Sequence, residues 1–386
     1  MKKQPLAPIV LVLATLAPTT GSLADTSSIQ LSGYVKLDSL YARYSDGEPT
    51  NELINDFLVP SLIPVGSGDT VERFNLHARE SRLRLSTETL VEGHELGAHI
   101  ELDFMVNPLG DERISNSRAP RLRHAYVTVD NILFGQTWST FYNVASLPEL
   151  NDFVGPVGTL FNRQPQIRYT VTTGAGAWDL AIENPETRLS TGAGQSTTFN
   201  DNEFPDLVGR YRWNEGDIQA SLAGILRRLS YDGNGQSDDA LGYGVSAAGR
   251  VRFGARDDLR LMINGGNALG RYLGLNAFDD GAIQADGAID RATQVGGLIG
   301  YRHFWTETLR STLAYSLAQS DTDEQAAGGG AAAAYQSAHV NLLFSPLKAL
   351  TYGLELAYAT RENQNGADGS VTRVQFSAKY GFHAGS

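Results

Sequence analysis

A side-chain period of two runs through this chain and limits what it can fold into. It appears at Ile29, Leu31, Gly33, Val35 and Leu37, with Gln30, Ser32, Tyr34, Lys36 and Asp38 between them. It recurs at Leu96, Ala98, Ile100, Leu102 and Phe104, and again at Leu350, Tyr352, Leu354, Leu356 and Tyr358. Alternate residues of an extended strand share a face, so each set makes one apolar face backed by a different one. No stretch of similar length keeps a helical period of 3.6. The reading is all-β, with sixteen segments at 29–43, 74–90, 95–106, 120–130, 131–137, 163–172, 177–184, 205–214, 217–230, 241–254, 257–268, 291–304, 307–319, 334–345, 349–361 and 370–382.

The connections between these segments alternate in length. Short ones include Asp130-Asn131, 173–176, 214–216, Ala255-Arg256, Trp305-Thr306 and 345–347; long ones cover 44–73, 107–119, 138–162, 185–204, 231–240, 269–290, 320–333 and 362–369. Tight turns at one end and long loops at the other describe a transmembrane antiparallel up-and-down β-barrel. An even strand number puts both termini on the short-turn side.

The first residues read as an address. Met1-Lys2-Lys3, the apolar run Ile9 to Leu16 and the small-x-small exit Ser22-Leu23-Ala24 make a signal peptide at 1–24, with the barrel domain at 25–386. Pro8 and Pro18 leave the apolar run short of the ~20 residues of a spanning helix. The mature N-terminus is expected to reach the first strand within a few residues.

A secreted β-sandwich or propeller is the soluble alternative. Sixteen strands would then need two or more domains, yet no linker, composition shift or blade-length repeat divides the chain. Aromatic residues instead gather at strand ends, among them Tyr41, Phe74, Trp178, Trp213, Phe253, Trp305, Phe344 and Tyr380, as interfacial girdles require.

Charge then sorts by strand face. The chain has 31 Lys+Arg against 43 Asp+Glu, a net charge of −12. With Leu83 and Leu85 outward, Arg82 and Arg84 point inward; the same parity turns Arg210, Arg212, Arg250, Arg252, Arg168, Arg227, Arg260, Arg310, Arg361, Arg373 and Lys379 inward. Inward acids are fewer: Glu80, Glu88, Glu101, Asp103, Asp179, Glu183 and Glu355. The long loops are acidic, with Asp46, Glu48, Glu52, Asp56, Asp69 and Glu72 against Arg73 in the first. The expectation is a basic bore inside an acidic rim, which focuses a field for anions. Arginine also holds carboxylate in a bidentate fork. The rim carboxylates could bridge divalent cations to lipopolysaccharide, or form a solvated surface; no loop has EF-hand spacing.

Other classes lack their signatures. There is no cysteine, HExxH pair, GxSxG elbow or P-loop, so no metal, cofactor or catalytic residue is assigned. A lumenal Ser–His–acid set around His99 or His339 stays open as an enzymatic alternative. Nucleic acid does not suit an acidic chain.

Residues 138–162 form a loop that is neither very polar nor strongly charged, with Leu147-Pro148-Glu149-Leu150 and Phe153-Val154-Gly155-Pro156. Such a loop suits an inner wall better than water, and it is the third long loop. Around it the chain resembles the DcaP-like family of outer-membrane porins. The resemblance rests on Glu80-Ser81-Arg82-Leu83-Arg84, Arg121-Leu122-Arg123-His124-Ala125-Tyr126-Val127, Phe134-Gly135-Gln136-Thr137-Trp138-Ser139-Thr140-Phe141 and Arg163-Gln164-Pro165-Gln166-Ile167-Arg168-Tyr169, all within 80–170. It implies a sixteen-stranded trimeric porin of a Gram-negative outer membrane, set in lipid and lipopolysaccharide, with the third long loop folded into the lumen, admitting small anions of the dicarboxylate class. Arg82, Arg84, Arg121, Arg123, Arg163 and Arg168 are the candidate substrate-binding wall facing that loop. Arg210, Arg212, Arg250, Arg252 and Arg310 are further candidate channel-lining residues. Ala125 and Val127 share the parity of Arg121 and Arg123, which leaves the face of those two arginines open. A general or sugar-specific porin is the nearest alternative; it would line the bore with stacking aromatics and show no anion preference. A barrel enzyme or a secreted adhesin stands further off.

Overall fold

The computed structural model of the chain describes residues 26–106, 109–111, 113–192, 195–233, 235–275 and 277–385. The signal peptide expected at 1–24 lies outside them. Sixteen antiparallel strands follow one another around a closed barrel: β1 Thr26–Tyr44, β2 in two parts (Val71–His77 and Arg82–Val91), β3 His94–Asp103, β4 Arg121–Val129, β5 Ile132–Trp138, β6 Arg163–Thr173, β7 Gly176–Glu183, β8 Asp206–Glu215, β9 Ile218–Gly233, β10 Gln236–Phe253, β11 Asp257–Asn267, β12 Thr293–Phe304, β13 Leu309–Asp321, β14 Ala332–Leu347, β15 Leu350–Asn363 and β16 Asp368–Gly385. β16 closes on β1 from Tyr44↔Val371 to Gln30↔Gly385. The last strand thus runs past Phe382, where the sequence reading ended it. Closure satisfies every ladder without an edge, which lipid demands because it offers no hydrogen bonds.

The lipid face carries the expected apolar residues. Leu354, Leu356 and Tyr358 of β15 are all exposed, and between them Glu355 is buried in the lumen. The short-turn end is tight; in the β2–β3 turn Glu92 and Gly93 both take positive φ, as a two-residue hairpin turn requires.

Two irregularities change the parity beside the candidate wall, apart from the register shifts at Ala332/Ala334 and Phe344/Leu347 of β14. β2 was expected as one strand over 74–90, but it breaks at 78–81. Its upper part pairs with β1 at Asp38↔His77 and its lower part at Tyr34↔Arg82, so three residues of β1 oppose four of β2. The extra residue is a bulge, and it moves the lipid face from Phe74 and Leu76 to Leu83 and Leu85. In β4 the register jumps between Glu101↔His124 and Leu102↔Leu122, leaving Arg123 unopposed. Arg123 and His124 are both buried, while Leu122 and Val127 are exposed on the outer face. This bulge resolves the ambiguity over Arg121 and Arg123: both point inward although Val127 faces lipid.

The outer connections depart further from expectation. Those expected to be long at 231–240 and 362–369 are hairpin ends, because the strands continue to Gly233 and Asn363 and resume at Gln236 and Asp368. The third long loop, L3 (139–162), enters the lumen as expected, but so do the first, L1 (45–70), and the sixth, L6 (268–292). Ile54, Phe57 and Ile63 of L1, Phe141, Val157 and Leu160 of L3, and Leu269, Tyr272 and Leu273 of L6 belong to one apolar core inside the barrel. Burying such side chains is worth about 1.5–3 kcal/mol each. Asp56, assigned above to the acidic rim, is buried with L1 and accepts two hydrogen bonds from Arg79 Nη1 at 2.6 and 2.5 Å. L6 also joins the fourth loop in a small outer sheet of Thr187–Ser190, Ser196–Phe199, Gly281–Ile283 and Ile289–Arg291.

Candidate functional site

The inner wall formed by β2, β3, β4 and β6 gathers the six arginines expected to bind substrate, but it uses them differently. Arg121 grips Asp103 with two hydrogen bonds, Nε to Oδ1 at 2.9 Å and Nη2 to Oδ2 at 2.8 Å. Arg123 spans two acids, with Nε on Glu101 at 2.5 Å and Nη1 on Asp103 at 2.8 Å. Arg84 donates to the other oxygen of Glu101, and Arg82 lies 3.5 Å from that carboxylate. Four arginines therefore share two carboxylates. Arg163 and Arg168 have no carboxylate within ion-pair distance among the described residues. The Arg163 guanidinium stacks 4.3 Å from the Trp138 ring centroid and 5.2 Å from that of Phe161. Its Nη1 is buried without a hydrogen bond, as is Nε of Arg168. Its electrostatic neighbours are Arg123, Arg121 and Arg82, with Asp103. Stacking holds the cation in place without spending its donors.

L3 faces this wall. An open cavity of about 920 Å³ lies between them, with Arg82, Arg84 and Trp138 on the barrel side and Leu147, Pro148 and Phe153 on the loop side. The Phe153 ring sits 5.5 Å from the Arg121 guanidinium and 5.3 Å from that of Arg123, so those two cations also anchor the loop. Gly135 lets β5 pass close to β4 here. Its φ is +133°, and a Cβ would stand 2.3 Å from the Ala125 carbonyl oxygen.

The acids of L3, Glu149 and Asp152, line the passage but are paired with wall arginines. Glu149 accepts Nε and Nη2 of Arg310 at 2.9 and 2.6 Å and Nη1 of Arg302 at 2.6 Å. Burial alone would raise its carboxyl, but the hydrogen bonds and charges of Arg310 and Arg302 outweigh this and bring it down to about 2. Asp152 accepts Arg373 Nη1 at 3.0 Å and the Leu58 amide at 2.8 Å. Around the rest of the bore, Asn151 N donates to Glu355 at 2.6 Å, Gly158 N to Ser316 Oγ at 2.7 Å and Thr140 N to Glu183 at 2.6 Å. The two loop acids are thus bound to wall arginines, and the rest of the face that L3 presents to Arg82 and Arg84 is mostly apolar, with Leu147, Pro148, Leu150, Phe153 and Val154.

The other predicted channel residues are distributed around the bore. Arg210 and Arg212 share Asp179, at 2.9–3.0 and 2.6–2.9 Å, and Arg210 also donates to the Tyr142 carbonyl at 2.6 Å. Arg250 pairs with Asp258 at 2.9 Å and Arg310 with Glu149. Arg252 is exposed at the turn end, 3.5 Å from Asp217. Sequence reasoning missed Arg302, which bridges Asp258 and Glu149. The signal was available: Ile299 and Tyr301 face outward, so 302 must face inward.

Of the two histidines singled out, His99 accepts or donates to Ser86 Oγ at 2.8 Å and stacks on Tyr126, with no carboxylate bonded to it among the described residues. His339 lies 3.2 Å from Glu355, a carboxylate committed to the backbone of L3. Among the described residues no cluster of His, Asp and Glu is arranged to hold a metal ion.

The comparisons with known proteins agree with this geometry. A family model described as DcaP outer membrane protein matches residues 16–382. The outer membrane channel DcaP of Acinetobacter baumannii superposes with a TM-score of 0.78 at 26% identity, covering 94% of this chain and 99% of that one. An anion-selective porin from Comamonas acidovorans gives 0.56 at 15%, covering 92% and 100%, and OmpT of Vibrio cholerae gives 0.56 at 10%, covering 94% and 100%. No curated protein sequence matches the chain. A sixteen-stranded barrel with an inward third loop and a family match over nearly its whole length make this chain a member of the DcaP outer membrane protein family, a porin of the Gram-negative outer membrane.

Proposed function

We propose that this porin conducts small anions, dicarboxylates in particular, and that it works as a homotrimer. The observation that carries the reading is Arg163. It is a half-buried guanidinium packed against two aromatic rings, with a buried nitrogen that no protein group satisfies among the described residues. A solute carboxylate in the eyelet meets the field of this cation across Trp138 and Phe161, which line the cavity; Arg168 on the same strand has no ion pair among the described residues and shares its surroundings with Asp179 and Glu183. Arg82 and Arg84 are the other wall cations at the passage; Arg121 and Arg123 chiefly hold Asp103, Glu101 and L3. Because the L3 acids are bound to Arg302, Arg310 and Arg373, they do not cancel the field of the wall. A wet passage with several arginines binds weakly enough to release, which conduction requires.

The test is the reversal potential of the reconstituted porin under a salt gradient. Anion selectivity is expected, and cation selectivity refutes the reading. Arg163→Gln should reduce the anion preference and weaken succinate binding several-fold, the effect of losing one nearby cation. Trimer assembly is checked by heat-modifiable gel mobility and by conductance in steps of three.

A further inference from the structure

A polar cavity separate from the eyelet lies in the outer vestibule, where L1, L6 and the seventh loop (322–331) meet. It spans about 1220 Å³, part of it open to solvent, and shares no lining residue with the eyelet cavity. Among the described residues, the charged ones that line it are Arg188, Asp279 and Arg361. Asp279 is paired: Oδ1 accepts Arg188 Nε at 2.8 Å and Oδ2 accepts Ser196 Oγ at 2.6 Å. Arg361 is held only by neutral acceptors. Its Nε donates to Asn363 Oδ1 at 2.9 Å and its Nη1 to the Ser61 carbonyl at 2.6 Å. No carboxylate pairs with it among the described residues, and its Nη2 makes no hydrogen bond there. The guanidinium is thus fixed in orientation while its charge is left uncompensated. Ser61 and Thr322 also line the cavity, and their hydroxyls bond to no protein group among the described residues.

We propose that this vestibule is a separate capture site for a hydroxylated carboxylate, a sugar acid in chemical class. Arg361 would receive the carboxylate through Nη2, and the Ser61 and Thr322 hydroxyls would bond the solute's own hydroxyls. A charged hydrogen bond gives the carboxylate its hold, while free hydroxyls favour a polyol body over an apolar one. The cavity opens on the long-loop side, so the site is reached from outside the cell before the eyelet. This proposal rests on the anion reading above.

The test uses the full-length porin in planar bilayers, with gluconate as probe and acetate as the control lacking hydroxyls. Gluconate added on the loop side should interrupt the KCl current at a several-fold lower concentration than gluconate added on the turn side. Arg361→Gln should raise the half-effective gluconate concentration about tenfold. Thr322→Val should weaken gluconate and leave acetate unchanged. The reversal potential in KCl should stay near wild type in both variants, because the eyelet is intact. Gluconate block equal from both sides overturns the proposal. So does a wild-type response in Arg361→Gln, or in Thr322→Val if the first variant does not assemble. A cation-selective wild type instead refutes the anion reading itself, so the two failures are distinguishable.

Discussion

Replacing Glu149 by Gln tests how L3 is held. The carboxylate takes three hydrogen bonds, from Arg310 Nε, Arg310 Nη2 and Arg302 Nη1, and is 29% exposed. Its carboxyl is lowered from the ordinary 4.5 to about 2. That difference corresponds to about 3 kcal/mol of preference for the attached over the released loop. The lowered value sets the sign. The stabilisation is full above pH 4.5, falls away as pH drops toward 2, and is absent below that. Glu149→Gln removes it at every pH, shifting the balance toward released loop about a hundredfold. It also leaves Arg302 and Arg310 with one fewer counter-charge, which should strengthen anion preference. Single-channel recordings read both effects. Wild type should be quiet from pH 7 to about 4 and begin to flicker only as pH approaches 2–3, whereas the variant should flicker at pH 7 and change little on acidification. A variant as quiet as wild type at pH 7 would falsify the clamp, as would a wild-type transition centred near 4.5.

Three further substitutions follow from the wall itself. Arg227→Met removes a fully buried cation bonded to Asp206 at 3.1 Å and Asp280 at 2.6 Å, stranding two carboxylates beneath L6; a loss of about 3–5 kcal/mol and a lower trimer melting temperature are expected, and an unchanged melting curve would count against it. Leu222→Arg places a charge on the lipid face, where Leu222 is 64% exposed; folding into vesicles should become less favourable by about 2–4 kcal/mol, less if the site lies near an interface, and no change in a urea titration would remove Leu222 from that face. Gly135→Ala brings a Cβ to 2.3 Å from the Ala125 carbonyl at a φ that L residues rarely adopt, so the heat-resistant trimer yield should drop sharply, and normal assembly would mean that β4 and β5 can move apart there.

The closed barrel was legible in the sequence because lipid imposes a period of two on every strand, and Leu354, Leu356 and Tyr358 record that rule residue by residue. The inward face of Arg82, Arg84, Arg210 and Arg250 followed from the same parity. The argument stops at bulges. One extra residue at 78–81 and another at Arg123 reverse the face of everything beyond them, and neither residue type announces the insertion. The sequence marked L3 as partly apolar, and L1 carries the same mark, unread, in Phe57-Leu58-Val59 and Leu62-Ile63, as does L6 in Tyr272-Leu273 and Ala277-Phe278; the acids of L1 drew the reading toward a solvated rim.

What the sequence alone determined was the solvent of each face: an apolar set for lipid, a charged set for the bore, and turns too short for anything but adjacent strands. Which arginine stays free was decided only in three dimensions. Arg121, Arg123 and Arg163 look alike in the chain, yet Asp103 and Glu101 from the neighbouring strand neutralise the first two, while Trp138 and Phe161 hold the third without neutralising it. Ion pairing acts over a few ångströms between residues about twenty positions apart in sequence, so the net charge of the chain says little about the field inside it.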